Sequence, residues 1–204
     1  MLFSSGKIIM ILGITGGFGC GKSSVLRFFE SKLFFTLDAD AVCRDFYLSE
    51  EPHLMDCIRT NFGKEMFLPD GSVDRGLLGR ELFTHPDKMK LITDVIYPLL
   101  TAKIVAAINE CRQADRDGAF ELPLLYEAGF ENFFDKILTV WCPDDLRKKR
   151  LAGRHFCPAE VDRRDRMQMP PAEKLERADF AVINNDSPAQ LTAQLEKLLE
   201  IIKI

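Results

Sequence analysis

The stretch Gly13–Val25 reads GITGGFGCGKSSV, and it decides the fold. From Gly16 to Ser23 it fits the pattern GxxxxGK[ST], directly after an apolar run that predicts a strand and before a predicted helix. In this context the backbone N–H groups of a glycine-rich loop point inward at phosphate oxygens, helped by the positive end of the following helix. Lys22 is predicted to reach the β- and γ-phosphates, and the Ser23 hydroxyl to bind Mg²⁺. The alternative, an ordinary glycine-rich turn, is disfavoured by the complete match.

Beyond the loop, short apolar runs alternate with segments of helical spacing. Helices are predicted at about 21–32, with Val25, Phe28 and Phe29 inward, and at about 188–202. Strands alternating with helices predict a parallel sheet covered on both faces. The fold class is therefore α/β, a three-layer P-loop NTPase fold with a parallel five-stranded sheet. The predicted strands are the runs Lys7–Ile14, Leu33–Leu37, Ala119–Leu122, Lys136–Cys142 and Phe180–Ile183.

Two segments interrupt the alternation and divide the chain. Residues 40–100 lack a convincing strand but carry helical patterns around Pro52–Phe62, Arg75–Phe83 and Pro86–Ile96, which indicates a helical insertion. Residues 143–178 are densely charged; the charge pattern alone is also typical of a solvated helical arm. We interpret this second segment as a helical lid. The nucleotide-binding core is then predicted to comprise residues 1–39, 101–142 and 179–204.

Composition excludes several other classes of protein. The chain has 204 residues, of which 47% are hydrophobic and 28% charged, values that suggest neither disorder nor residence in a membrane. The net charge of −4 argues against broad electrostatic binding to nucleic acid. We predict that the apolar run after Lys7 is a buried strand rather than a signal peptide, because no small-residue cleavage site follows it. No other run approaches the roughly 18 apolar residues of a membrane span.

The six cysteines are widely spaced, with no CxxC pair and no clustered histidines. This spacing does not support a metal site and favours reduced thiols in a cytoplasmic protein. Cys20, inside the loop, has no base nearby in the sequence and is interpreted as a small filler rather than a nucleophile.

A phosphate loop by itself does not separate kinases from GTPases or ATP-driven motors. The chain has no Asn-Lys-x-Asp segment for reading guanine, and no apolar run ends in Asp-Glu. These two absences favour transfer of the phosphate to an organic acceptor.

Charged residues elsewhere supply candidates for that transfer. The segment TLDADAVCR places Asp38 and Asp40 at the carboxyl edge of the second strand, where open α/β sheets bind ligands. Alternate residues of an extended chain point the same way, so one carboxylate is expected toward Mg²⁺ or its water and the other toward an acceptor hydroxyl. The competing interpretation of such an aspartate is a helix N-cap. Arg150 and Arg154 stand four residues apart, on one helix face, where they would stabilise the charge of the transferring phosphate.

Six stretches occur in this order along the chain: TGGFGCGKSS, LDADAVCR, DGSVDRGLLGRELF, LPLLYE, PDDLRKKRLAGR and RDRMQMPPAEKLERADFAVINND. Together they resemble the dephospho-coenzyme A kinases, which phosphorylate the ribose 3′-hydroxyl of dephospho-CoA in the last step of CoA biosynthesis. The resemblance runs from about Ile8 to Asn185. The chain departs from the family pattern at Tyr97, where histidine is usual, at Val140-Trp141-Cys142, and at His155, where aspartate is frequent.

The resemblance implies a role for each matching residue. Asp40 would be the general base, and Lys22 and Arg150 would stabilise the transferring phosphate, so these three are the catalytic candidates. Arg154 would be a second lid contact to ATP. The loop residues that would hold ATP and Mg²⁺ are Gly17, Phe18, Gly19, Cys20, Gly21, Lys22, Ser23 and Ser24. The acceptor site would include Asp38, Arg44, Pro123, Leu124, Leu125 and Glu127. The insertion would be the CoA-binding domain.

The hypothesis is thus an ATP-dependent, Mg²⁺-requiring kinase whose partners are ATP and dephospho-CoA. No nucleic acid or membrane partner is expected, and a monomer is expected with an oligomer left open. Two alternatives remain at this point: a kinase for another nucleoside or nucleotide, and a nucleotide-binding module without transfer activity. Intact Asp40, Lys22, Ser23 and Arg150 argue against the second of these.

Overall fold

A parallel five-stranded sheet forms the centre of the first part of the molecule. The computed structural model describes residues 9–202. Lys7 and Ile8, at the start of the first predicted strand, lie outside the described residues. All strand pairs are parallel and the order is β2-β3-β1-β4-β5, as the sequence predicts for an α/β fold. The strands are β1 (Ile11–Gly16), β2 (Phe35–Asp38), β3 (Gly118–Glu121), β4 (Lys136–Trp141) and β5 (Phe180–Ile183).

Strand β1 is central because its side chains are apolar on both faces. Ile11, Leu12 and Ile14 have no exposed surface, which is typical of a parallel strand covered by helices on both sides. Its amino end is fixed by two aspartates: Asp135 Oδ2 accepts from Ile11 N at 2.8 Å, and Asp117 Oδ1 from Met10 N at 3.0 Å. The loop that follows β1 therefore begins from a fixed strand.

The second predicted strand begins later than the sequence suggests. Leu33 has a left-handed backbone (φ 68°) and is 80% exposed, so it belongs to the turn after the first helix. The strand itself starts at Phe35. An apolar side chain alone misled the prediction here, because the turn conformation and not hydrophobicity decides where the strand starts.

Nine α-helices occur in the described residues 9–202. Helix α1 packs with α9 on the Leu12–Ile14 face of the sheet, where Val25 and Phe29 are fully buried. Helix α8 packs on β1 and β4. The helices are α1 (Lys22–Ser31), α2 (Ala39–Leu48), α3 (Pro52–Phe62), α4 (Arg75–Thr84), α5 (Met89–Gln113), α6 (Asp144–Ala152), α7 (Pro158–Arg166), α8 (Pro171–Arg177) and α9 (Pro188–Ile202), with 3₁₀ turns at Lys64–Met66, Pro86–Lys88 and Glu131–Phe133.

The chain forms two compact units. The first contains the described residues up to Asp38 and those from Ala107 onward, and the second is Ala39–Ala106. The sheet and the charged segment 143–178, which folds into α6, α7 and α8, belong to the first unit. The second unit is helical, apart from one antiparallel bridge between Phe67 and Val73.

Helix α5 is longer than the sequence pattern predicts. The predicted helix ended near Ile96, whereas α5 runs to Gln113 with Pro98 inside it. Buried residues continue at helical spacing beyond the proline, at Leu100, Ile104, Ile108 and Cys111, so burial of this face offsets the hydrogen bond that proline removes.

Helix α5 has a length and a mean hydropathy, 1.8, that would suffice for a membrane span. It is the one such helix among residues 9–202. The search of the sequence for long apolar runs missed this helix. Core helices of soluble proteins meet the same criterion, so it is weak evidence for a membrane.

Candidate active site

The loop Gly16–Ser23 follows β1 and leads directly into α1. Gly19 and Gly21 have φ angles of +80° and +100°, which residues with a Cβ rarely adopt. A Cβ on Gly21 would also lie 2.1 Å from Asn184 Nδ2. That amide donates to Cys20 O at 2.8 Å, so the segment after β5 holds the loop from outside. Glycine is required at position 21 for both reasons.

The six backbone N–H groups from Phe18 to Ser23 fall into two sets. Two are used within the protein: Cys20 N donates to Gly17 O, and Phe18 N donates to Gln168 Oε1 at 3.0 Å. Four others donate to no acceptor among residues 9–202. Because backbone donors are normally paired, a set of adjacent unpaired ones at a helix N-terminus is the geometry of an anion site. The four are the N–H groups of Gly19, Gly21, Lys22 and Ser23.

Lys22 lies folded back onto the loop. Its Nζ donates to Gly16 O and Gly17 O, both at 3.1 Å, and the residue is only 6% exposed. An ammonium has three protons, so one remains for an anion. The chain therefore places a cation beside the unpaired amides.

Oxygen ligands suited to Mg²⁺ occur at the same edge of the sheet. Ser23 is exposed at the start of α1, and Glu121 ends β3 beside β1, in register with Ile14 and with Asp38 of β2. Hydroxyl and carboxylate oxygens are the donors that Mg²⁺ prefers. The sequence reasoning missed Glu121, although a carboxylate that ends an apolar strand is a recognisable signal. No cluster of three or more histidine, cysteine or acidic residues that could hold a metal ion occurs in the described chain.

A cavity of about 450 Å³ lies beside the loop, within the first unit. Arg150 of α6 and Arg154, in the turn after this helix, both line it. The prediction that these two arginines share one helix face was wrong, because α6 ends at Ala152, before Arg154 is reached. Arg150 Nη1 donates to Asn184 O at 2.8 Å, so one residue contacts both the loop and this arginine. The cavity has the size of a small-molecule site. Lining residues near the loop are Gly19, Gly21, Ser24, Arg150, Arg154 and Asn184.

Phe18 is held by residues of the charged segment. Arg147 Nη1 donates to Phe18 O at 3.1 Å while its guanidinium also binds Asp165 (2.8 and 2.7 Å) and Asp144. Arg164 lies over the Phe18 ring, 4.4 Å from its centroid. Burial lowers the pKa of Arg147, but the hydrogen bonds to the two aspartates outweigh burial and raise it.

Arg147 is 6% exposed, so this part of the segment is packed and not a solvated arm. The sequence reasoning named neither Arg147 nor Gln168. Both lie more than 100 residues from the loop in sequence.

Cys20 packs inside the loop. It is 1% exposed, and burial raises the pKa of its thiol, so the thiol stays protonated at neutral pH. This placement agrees with its interpretation as a filler. All six cysteines are free thiols.

The segment after β3 carries four of the predicted acceptor residues. Pro123 and Leu124 are half-buried, whereas Leu125 is fully buried and would contact a Cβ at position 13 of β1. Glu127 forms an ion pair with Lys174 at 2.9 Å. Lys174, which was not among the predicted site residues, has no exposed surface.

A family model for dephospho-CoA kinase matches residues 10–190. The chain belongs to the dephospho-CoA kinase family. A dephospho-CoA kinase from Enterococcus faecalis is 33% identical over 191 residues, covering 93% of this chain and 96% of that protein. One from Anaeromyxobacter dehalogenans is 34% identical over 197 residues, covering 93% and 90%.

A Thermus thermophilus structure described as TT1252 is similar, with a TM-score of 0.78 and 30% identity, covering 94% of this chain and 97% of that one. These comparisons confirm the resemblance read from the sequence.

As a member of the dephospho-CoA kinase family, the chain distributes its predicted site residues between its two units. The first unit contains the loop, Lys22, Arg150, Arg154, Asp38 and the segment after β3. Asp40 and Arg44 belong to the second unit, in the first and second turns of α2, and both are exposed to solvent. Kinases of this family use ATP. The four unpaired amides could bind its phosphates, and the cavity could hold its nucleoside.

Proposed function

We propose that this chain transfers the γ-phosphoryl group of ATP to the ribose 3′-hydroxyl of dephospho-CoA, giving CoA and ADP. The observation that carries the proposal is the set of four unpaired loop amides beside Lys22, in a chain of the dephospho-CoA kinase family. Neither alternative, a kinase for another nucleoside or a module without activity, is favoured by the family match.

The donor nucleotide has a consistent place in the first unit. The triphosphate would bind the amides of Gly19, Gly21, Lys22 and Ser23, with the remaining contacts of the predicted loop from Gly17 to Ser24. Its nucleoside would occupy the cavity lined by Arg150 and Arg154. Lys22 would exchange its hydrogen bonds to Gly16 O and Gly17 O for bonds to phosphate oxygens, since its ammonium lies beside the unpaired amides.

The residues fit a magnesium ion bound with ATP. Ser23 Oγ would hold it together with phosphate oxygens and water, and Glu121 stands at the same sheet edge. When bound, Mg²⁺ neutralises the charge of the β- and γ-phosphates. Lys22 and Arg150 would stabilise the charge on the equatorial oxygens in transfer.

The acceptor hydroxyl would lose its proton to Asp40. The oxygen would then attack the γ-phosphorus in line, the bond from phosphorus to the β-phosphate oxygen would break, and ADP would leave, with no covalent enzyme intermediate. We assign Asp38, Arg44, Pro123, Leu124, Leu125 and Glu127 to the acceptor site, residues 40–100 to CoA binding and residues 143–178 to a lid that excludes water.

We also infer a cytoplasmic monomer that binds neither nucleic acid nor membrane. The net charge of −4 argues against binding to nucleic acid, since proteins bind nucleic acid largely through positive charge. Free thiols at all six cysteines are consistent with a reducing compartment.

One assay tests the function. The protein is incubated with ATP and Mg²⁺ and, separately, with dephospho-CoA, adenosine, cytidine or thymidine, and ADP and product are measured. We expect ADP and CoA with dephospho-CoA only. Product from another acceptor would reassign the substrate, and ADP that does not depend on any acceptor would refute the transfer.

A further inference from the structure

Lys174 of α8 is a lysine with no exposed surface. Its Nζ donates to Pro123 O at 2.6 Å and to Glu127 Oε1 at 2.9 Å, and lies 3.4 Å from Thr15 Oγ1. An ammonium has three protons, so these three acceptors use all of them. Lys174 therefore has no proton left for a substrate, and any role in the reaction is exerted through the groups that it holds.

Those groups lie at the carboxyl edge of the two central strands. Thr15 is the residue before Gly16, where the phosphate loop starts, and Pro123 follows the end of β3. Strands β1 and β3 are neighbours, and the strand order reverses beside them, which is where open α/β sheets bind ligands. Lys174 thus fixes the segment after β3 relative to the loop.

Burying this cation is costly. Burial lowers the pKa of Lys174, and Glu127 acts in the opposite direction without restoring it. An apolar side chain would pack a helix onto a sheet without this cost. Packing alone therefore does not account for a lysine here, whereas a need to hold Glu127 in one position does.

The two carboxylate oxygens of Glu127 differ in their contacts within the protein. Oε1 accepts from Lys174 Nζ and from Met169 N, the latter at 2.6 Å. Oε2 accepts no hydrogen bond from the described residues 9–202. An ionised carboxylate is only an acceptor, so its ligand must offer a hydroxyl or an amino group. The positive charge of Lys174 balances Glu127, so this carboxylate does not add net negative charge beside a site for phosphates.

We propose that Lys174 is a positioning residue that fixes Glu127 by Oε1, so that Oε2 accepts a hydrogen bond from a hydroxyl or amino group of the acceptor nucleotide. The proposal rests on the proposed function. It adds to that function the atom of Glu127 that contacts the acceptor and the residue that orients the Glu127 carboxylate.

The test compares Glu127→Gln, Lys174→Met and the double variant with the wild-type enzyme, in full kinetics against ATP and dephospho-CoA. Each single change is expected to raise KM for dephospho-CoA by about tenfold, as for loss of one hydrogen bond to a charged group, while KM for ATP changes less than about twofold. The double variant is expected to resemble the worse single variant, because both act through one contact.

Lys136→Met is the matched control. Lys136 pairs with Asp179 at 2.8 Å, at the amino end of β4 and far from the loop along that strand, and both KM values should stay unchanged. If Lys174→Met does not fold, Lys174→Gln, which keeps a donor for Pro123 O, takes its place.

Three results would overturn the proposal. One is an unchanged KM for dephospho-CoA in Glu127→Gln. Another is a lower melting temperature in Lys174→Met with wild-type KM values, which would make the lysine structural only. The third is additive effects in the double variant. Absence of CoA formation by the wild-type enzyme would instead refute the proposed function, and with it the role of Glu127, before any variant is compared.

Discussion

Single residues in the phosphate loop have separate tasks. Gly21 offers an unpaired N–H and at the same time leaves room for Asn184 Nδ2, which bonds Cys20 O. Lys22 supplies charge, and Cys20 fills space. The loop therefore depends on the absence of a side chain at position 21 as much as on the presence of the ammonium at position 22.

Gly21→Ala is expected to disrupt the loop. The new Cβ meets Asn184 Nδ2 at 2.1 Å in a backbone conformation, φ +100°, that alanine disfavours. We expect ADP affinity, measured by calorimetry, to fall about tenfold or more, together with a loss of stability. Gly129→Ala is the control, because Gly129 has φ +72° but no atom within 4 Å of the added Cβ. That variant should lose only about 1–2 kcal/mol of stability and keep wild-type affinity for ADP. Equal ADP affinity in both variants would contradict the argument.

Asp40→Asn is expected to remove the general base without changing the donor site. We expect kcat with dephospho-CoA to fall by about 100-fold or more, since general-base catalysis commonly contributes 10²–10⁴. ATP affinity should remain near the wild-type value, because the loop amides and the cavity belong to the other unit. Near-normal turnover would remove Asp40 from its proposed role.

At the level of elements, the charged segment 143–178 is held to the core by buried cations. Arg147 of α6 joins Phe18 O to Asp165 of α7, and Lys174 of α8 joins the ends of β1 and β3. The three helices are thus attached to the phosphate loop and to the sheet at separate points. Any movement of α6 and α7 has to break or carry the contacts of Arg147.

Arg147→Met is expected to destabilise the protein by about 1–3 kcal/mol. Arg147 is only 6% exposed in the native state, and its replacement leaves Phe18 O and Asp165 without their hydrogen-bond donor. Urea unfolding measures the change. Lys148→Met, which removes an exposed pair with Asp144 at 2.9 Å, should leave the urea midpoint close to that of the wild-type protein. Similar effects of the two substitutions would show that burial of Arg147 adds nothing.

Elements were easier to predict than their contacts. The loop, four of the five strand positions and helix α9 follow from local apolar patterns and glycine spacing, and the structure confirms the parallel sheet. The burial of Arg147 and Lys174 could not be predicted, because a charged side chain is buried only where distant partners satisfy it. Glu127 and Asp165 become such partners only once the chain has folded.

The site was predicted in the same uneven way. Spacing singled out the loop residues Gly19, Gly21 and Ser24 and the arginines Arg150 and Arg154, and these five line one cavity in the structure. Glu121, Gln168 and Asn184 were not singled out, since a single polar residue at a strand end has no periodic pattern. The roles of Asp40 and Arg44 remain predictions.

On the scale of the whole molecule, the chain combines a net charge of −4 with local positive charge for a polyanionic nucleotide. Lys22, Arg150 and Arg154 stand beside the four unpaired amides and the cavity, all in the first unit. The family match extends over residues 10–190 and so includes both units.

Transfer of label tests this account most directly. The protein is incubated with Mg²⁺, dephospho-CoA and ATP labelled at the γ-phosphate, and the products are separated and analysed for the position of the label. The account predicts that the label appears in the 3′-phosphate of CoA, with one ADP formed for each CoA, and that chelation of Mg²⁺ stops the transfer. Label found only in inorganic phosphate, or on an acceptor other than dephospho-CoA, would contradict it.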